Sequence, residues 1–260
     1  MSGGFELALA PLTALVVWWF GTGLVMLLDR LPRETFRFTL FSATLLAGAA
    51  LVCISRSAHD ATPAGAYAAF VCAVVVWGWH ELTFLSGWLT GPRKSECSAP
   101  AHWPTRFVES VHTILWHEMG IVGTLLLVWA LVRDGGNPVA LWTFALLWSM
   151  RLSAKFNLFL GVRNQGQEFL PAHLAHLPSY FRQRRVNPLL PLVVVAGTAL
   201  TVLLVLRGLA LDGGARTGHL LVASLLALAV AEHLLMVLPL QSSRLWRWAM
   251  RPQAEPEALP

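Results

Sequence analysis

Four histidines and four glutamates stand in stretches of this sequence that are otherwise apolar: His80 and Glu81, Glu109 and His112, His117 and Glu118, and Glu232 and His233. Arg151, Lys155 and Asn157 occupy a further apolar stretch. Imidazole nitrogens and carboxylate oxygens together form a donor set suited to iron, manganese or zinc. Glu109 and His112 have the i, i+3 spacing of carboxylate-bridged di-metal bundles, although such bundles use the pair twice and it occurs once here. The candidate metal ligands are therefore His80, Glu81, His112, His117, Glu118, Glu232 and His233, and one of these histidines could instead be the axial ligand of a bound tetrapyrrole. Arg151, Lys155 and Asn157 are candidate binders of a pigment or quinone, the two cations suiting an anionic edge such as a propionate. Two other readings use the same residues. Glu81, Glu118 and Glu232 can lock helices together as ion pairs with Arg151 and Lys155, or the ionisable groups can line a proton or ion path.

The elements that must position these residues follow from the composition. Of 260 residues, 56% are hydrophobic and 13% charged, which predicts an integral membrane protein and excludes a disordered chain or a small secreted scaffold. Apolar runs long enough to cross a hydrocarbon core of about 30 Å fall at 6–28, 36–54, 64–90, 105–132, 138–160, 189–209 and 217–239. The expected fold is thus all-α, a polytopic bundle of seven transmembrane helices forming one domain over 1–252, with a disordered cytoplasmic tail at 253–260. Asp29 to Pro32, Gly91 to Arg93, Gly135 to Pro138 and Asp212 to Gly214 punctuate the runs. Between the fifth and sixth runs, Leu170, Leu174, Leu177 and Phe181 recur at helical spacing, predicting a short interfacial helix that Pro178 must bend or end. The first run has no basic residue before it and is too long for a signal peptide, so no cleaved leader is expected.

Net charge is +5, and the basic residues are distributed unevenly. Arg30, Arg33, Arg37, Arg93, Lys94, Arg106, Arg163, Arg182, Arg184, Arg185, Arg244, Arg247 and Arg251 fall on one side of the seven-helix arrangement; Arg56, Arg133, Arg207 and Arg216 fall on the other. The positive-inside rule puts the N-terminus outside and the C-terminus in the cytoplasm. It also makes nucleic acid an unneeded explanation of the charge. Cys53, Cys72 and Cys97 are too few and scattered for a disulfide framework or a thiolate zinc site. A retinal Schiff base is excluded because the seventh run holds no lysine, and phosphate-loop, nucleophile-elbow and dinucleotide fingerprints do not occur.

With that topology, Glu81, Arg151 and His233 come near the ends of their runs, and His112 and His117 near the start of theirs. At 1.5 Å per residue each lies roughly 8 to 16 Å from the cytoplasmic boundary. The polar residues of four helices are therefore expected at one depth.

Five ordered blocks carry a resemblance. They are Trp77 to Arg93 (WGWHELTFLSGWLTGPR); His117 with Glu118; Met150 to Val162 (MRLSAKFNLFLGV); Leu170 to Leu174 with Ser179 to Phe181; and Glu232 with His233 followed by Leu238 and Pro239. Together they resemble the PuhE family of bacterial membrane proteins, described as photosynthetic complex assembly proteins, over nearly the whole chain. Ser86 stands where the family pattern suggests Thr, and Phe156 where it suggests Leu. The resemblance implies an assembly factor for the reaction centre and antenna of anoxygenic phototrophs, seated in the cytoplasmic or intracytoplasmic membrane, with membrane lipid and reaction-centre or antenna subunits as partners. It implies no reaction. The competing expectation, from the His and Glu cluster, is a metal-dependent membrane oxidoreductase or tailoring enzyme acting on a pigment or quinone.

Overall fold

Apolar runs of this length fold as helices in a membrane because only internal hydrogen bonding satisfies their peptide groups. A computed structural model of the protein describes residues 2–98, 102–240 and 242–250. Its α-helices are α1 (Ser2–Asp29), α2 (Phe36–Ser57), α3 (Pro63–Leu85), α4 (Trp103–Val132), α5 (Val139–Leu160), α6 (Leu189–Leu209) and α7 (Gly213–Leu235). Among the described residues there is no β-strand, only an isolated bridge between Val162 and Gln183. Among the described residues six helices are long and apolar enough to cross a membrane; α5 has 22 residues but carries Arg151 and Lys155. The expected tail at 253–260 lies outside the described residues.

Local chemistry sets the helix ends. Pro63 occupies the first turn of α3, where its missing donor costs nothing, and the Thr62 hydroxyl accepts from Gly65 N at 3.3 Å. The Asn187 side-chain oxygen accepts from Leu189 N at 3.0 Å and Leu190 N at 3.3 Å, capping α6.

Helices α3 and α7 form the centre: α3 packs on α1, α2, α4, α5 and α7, and α7 on α1, α3, α5 and α6. Phe70, Ile121, Phe144, Leu221 and Leu225 interlock there with almost no exposure. The outer faces are apolar as well, with Phe38, Phe41 and Leu45 of α2, Leu126 of α4 and Leu192 and Val195 of α6 all exposed. An exposed apolar surface on this scale suits lipid contact.

The two ends of the bundle are tied separately. At one, Asn137 N bonds Ala58 O at 3.0 Å and the Asn137 amide bonds Ser57 O at 3.0 Å, joining the α4–α5 connection to the end of α2. At the other, the α5–α6 connection packs against the end of α3. This connection departs from the expected interfacial helix. It forms three short 3-10 turns, Gln167–Phe169, Ala172–Leu174 and Leu177–Tyr180, because Pro171 and Pro178 each deny a backbone donor before a longer helix can grow. Leu174 and Leu177 turn inward onto Phe84 and Leu85 rather than lying along a lipid surface.

Beyond α7, the 3-10 segment Ser242–Trp246 and the residues after it cross α1. Trp246 donates to Trp19 O at 3.0 Å and meets the Trp18 ring edge-on with centroids 5.4 Å apart. Trp248 covers Gly23, where a Cβ would fall 2.2 Å from the indole.

Candidate functional site

A row of ionic and polar contacts joins α1, α3, α4, α5 and α7 near the end that the α5–α6 connection covers. Arg151 of α5 donates to Glu81 of α3 at 2.8 Å. Glu232 of α7 accepts from the Trp18 indole of α1 at 2.8 Å, and Arg151 feels the charge of Glu232 as well as that of Glu81. Lys155, one turn beyond Arg151, pairs with Glu118 of α4 at 2.5 Å, and the Trp148 indole donates to the other oxygen of Glu118 at 3.0 Å. The i, i+4 spacing of Arg151 and Lys155 puts both cations on one face of α5, and i, i+3 and i, i+7 put Trp148 and the fully buried Phe144 there too.

His80 and His117 sit between these pairs and the apolar core, each 1% exposed. Their ring centroids are 6.2 Å apart, with Phe144 against His80 and Phe84 against His117. His80 Nε2 is bonded to the Thr124 hydroxyl at 2.9 Å, while His80 Nδ1 and His117 Nδ1 have no hydrogen-bond partner. Glu81 Oε1 is a third buried atom in this region without one.

His233 belongs to a different chain of contacts. Its Nδ1 lies 2.8 Å from Ala229 O, an acceptor only, so that nitrogen carries the proton and Nε2 accepts from Ser153 Oγ at 3.1 Å. Asn157 donates to Ser153 O at 3.0 Å, and Asn187 donates to Asn157 Oδ1 at 2.9 Å. The donors thus run in one direction from the cap of α6, through α5, to α7. His233 Nε2 joins α7 to α5 while its Nδ1 stays within α7, and Asn157 Oδ1 joins α5 to the cap of α6.

His112 and Glu109 lie apart from this network, where the α3–α4 connection runs antiparallel along α4. Glu109 accepts from Ser98 N at 3.0 Å and Ser98 Oγ at 2.6 Å and pairs with Arg93 at 3.2 Å. His112 contributes its carbonyl to Arg93 N at 3.3 Å, and its ring is exposed. Of the candidate residues, the structure brings together Glu81, Arg151 and Glu232 in one group and His80, His117, Glu118 and Lys155 in an adjoining one; Asn157 with His233, and His112, stand elsewhere. Among the described residues no three His, Cys, Asp or Glu side chains group as they would to hold a metal ion.

Sequence reasoning passed over several members of these networks. Trp18 and Trp148 read as apolar, yet each spends its single N–H on a carboxylate. Arg106, counted with a cytoplasmic loop, is buried in α4, where it donates to Tyr180 O at 3.1 Å and Phe159 O at 2.8 Å. The α5–α6 connection is pinned further by Arg93 donating to the Tyr180 hydroxyl at 2.6 Å, Tyr180 donating to Ser95 O at 3.0 Å and His173 bonding Leu85 O at 2.7 Å. The bond to Tyr180 raises the pKa of Arg93, and burial raises that of Tyr180. Burial lowers the pKa of His173 and His176.

These features define a multi-pass helical membrane protein with ion pairs tying its helices together at one level. Residues 5–257 match the family described as "Protein of unknown function (DUF3623)", and the chain belongs to that family. It is 43% identical over 258 residues to a Rhodobacter capsulatus protein named "Uncharacterized 30.4 kDa protein in puhA 5'region", covering 96% of this chain and 93% of the relative. No solved structure matches it.

Proposed function

We propose that the protein is an assembly factor for the photosynthetic reaction centre and antenna complexes of anoxygenic phototrophic bacteria, acting in the inner membrane without a reaction of its own. The observation that carries this reading is the near full-length similarity to a relative whose name places it in the puhA 5' region. That name shares its puh designation with the PuhE family that the five sequence blocks resemble. The ion pairs support a non-enzymatic role, because Glu81, Glu118 and Glu232 are engaged with Arg151, Lys155 and two indoles.

In this reading all seven helices cross, with the N-terminus outside. Support for the α5 crossing comes from its two ends: Asn137 beside it bonds the end of α2, whereas Leu158 O near its other end accepts from Arg182 in the connection packed on the end of α3. Charges on α5 are tolerable in the bilayer when they are paired within the bundle.

Deleting the gene tests the functional reading. Assembled reaction centre and antenna, read from membrane absorption, should fall while extractable bacteriochlorophyll and its precursors stay unchanged. Accumulation of one defined precursor would instead identify a biosynthetic enzyme.

A further inference from the structure

The α3–α4 connection and the first half of α4 enclose a shallow hollow of about 420 Å³ lined by Pro92, Arg93, Lys94, Ser95 and His112. Its walls are fixed. Thr90 O accepts from His117 N at 2.9 Å, His112 O from Arg93 N at 3.3 Å, and Ser95 O from the Tyr180 hydroxyl at 3.0 Å. Gly91 lets the connection lie flat on α4, since a Cβ there would stand 2.0 Å from His112 O.

The polar groups of the hollow divide into two kinds. Arg93 is committed: it donates to Tyr180, to Glu96 O at 2.8 Å and to Ser98 Oγ at 3.2 Å, and it pairs with Glu109. Lys94 and His112 are both exposed, and among the described residues neither side chain makes a hydrogen bond or ion pair. Neither acid of this region, Glu96 or Glu109, lines the hollow. It therefore presents an ammonium and an imidazole beside a guanidinium whose charge Glu109 already balances.

Its level completes the argument. His117 packs on Phe84, one residue from the end of α3, and His112 lies five residues further toward the start of α4, about 7.5 Å at 1.5 Å per residue. Trp88 and Trp103, exposed in the same region, are the residue type that marks a membrane interface. Basic hollows at this level recognise phosphate-bearing head groups.

We propose that this hollow is a phosphate-binding site, with Lys94 and His112 as the contacting residues and the Arg93–Glu109 pair holding its wall in place. The phosphate is that of an anionic lipid head group or a free phosphate, and the two sources separate experimentally. Full-length protein in phosphatidylcholine nanodiscs, with and without phosphatidylglycerol, is compared by native mass spectrometry and thermal unfolding, and detergent-solubilised protein is titrated with inorganic phosphate. Preferential retention of phosphatidylglycerol should fall about tenfold in Lys94→Gln and in His112→Gln, the usual loss for one charge-assisted contact. Lys94→Arg should retain it, and all variants should unfold with wild type in phosphatidylcholine alone. Binding of inorganic phosphate that depends on the same two residues, without a lipid preference, supports the site and assigns it to soluble phosphate. Unchanged retention and phosphate binding in both variants overturns the proposal, as does an equal loss in Arg185→Gln, which would reduce the effect to general surface charge.

Discussion

Glu81 and Glu118 each pair with a cation of α5, but their surroundings differ. Lys155 pairs with Glu118, whereas Arg151 pairs with Glu81 and also feels the charge of Glu232. Losing a carboxylate matters most where the cation left behind keeps no other counter-charge. Glu118→Gln should therefore cost roughly 3 to 5 kcal/mol and deplete the folded protein from membranes. Glu81→Gln should cost less, because Arg151 retains the attraction of Glu232. Unfolding in detergent and membrane abundance measure both, and equal losses would show that Glu232 does not compensate Arg151. These ionisable residues were legible in the sequence because charge amid apolar residues stands out. Trp18 and Trp148 were not, since an indole N–H is invisible until a carboxylate is placed opposite it.

The polar chain from Asn187 through Asn157 and Ser153 to His233 couples α5, α6 and α7. Asn157→Ala and Asn187→Ala should each destabilise by about 1 to 3 kcal/mol, since each leaves buried polar partners unmatched. The double variant should fall short of the sum by more than about 0.5 kcal/mol, because removing either amide already disables their mutual bond. Additive effects in a double-mutant cycle would refute the coupling. The α5–α6 connection carries a pH dependence. Burial lowers the pKa of His173 and His176, so the folded protein binds fewer protons there than the unfolded chain does. Their contribution is present above the ordinary histidine value of about 6.5 and is lost as pH falls through it. Thermal unfolding across that range should show wild type losing more stability in acid than His173→Gln combined with His176→Gln. The sequence signalled an ordered apolar segment here through its leucine spacing. It did not reveal the 3-10 turns, because periodicity cannot weigh two prolines against burial on Phe84 and Leu85.

For the whole molecule, the helix runs were readable from hydropathy, and the shared level of the ionic residues from counting along them. Which partner each charge takes depends on helix rotation, which these nearly uniform apolar surfaces do not encode. Sidedness can be measured. With Cys97 replaced, Asp60→Cys and Asp134→Cys should react with a membrane-impermeant maleimide from outside, and Arg185→Cys only after permeabilisation. Labelling of Asp134→Cys and Arg185→Cys from the same side would mean that α5 does not cross.

The segment from Ser242 to Met250 bears on how the protein is made. Helix α1, made before these partners, takes its contacts from α3, from α7 and from this later segment, where Trp246 and Trp248 settle against Trp18, Trp19 and Gly23. Trp18 also waits for Glu232, more than two hundred residues later in synthesis. So α1 is made before α3 and α7 but completes its contacts only after both, and a nascent chain stalled before Trp246 holds α1 to α7 yet still lacks the clasp of this segment on α1.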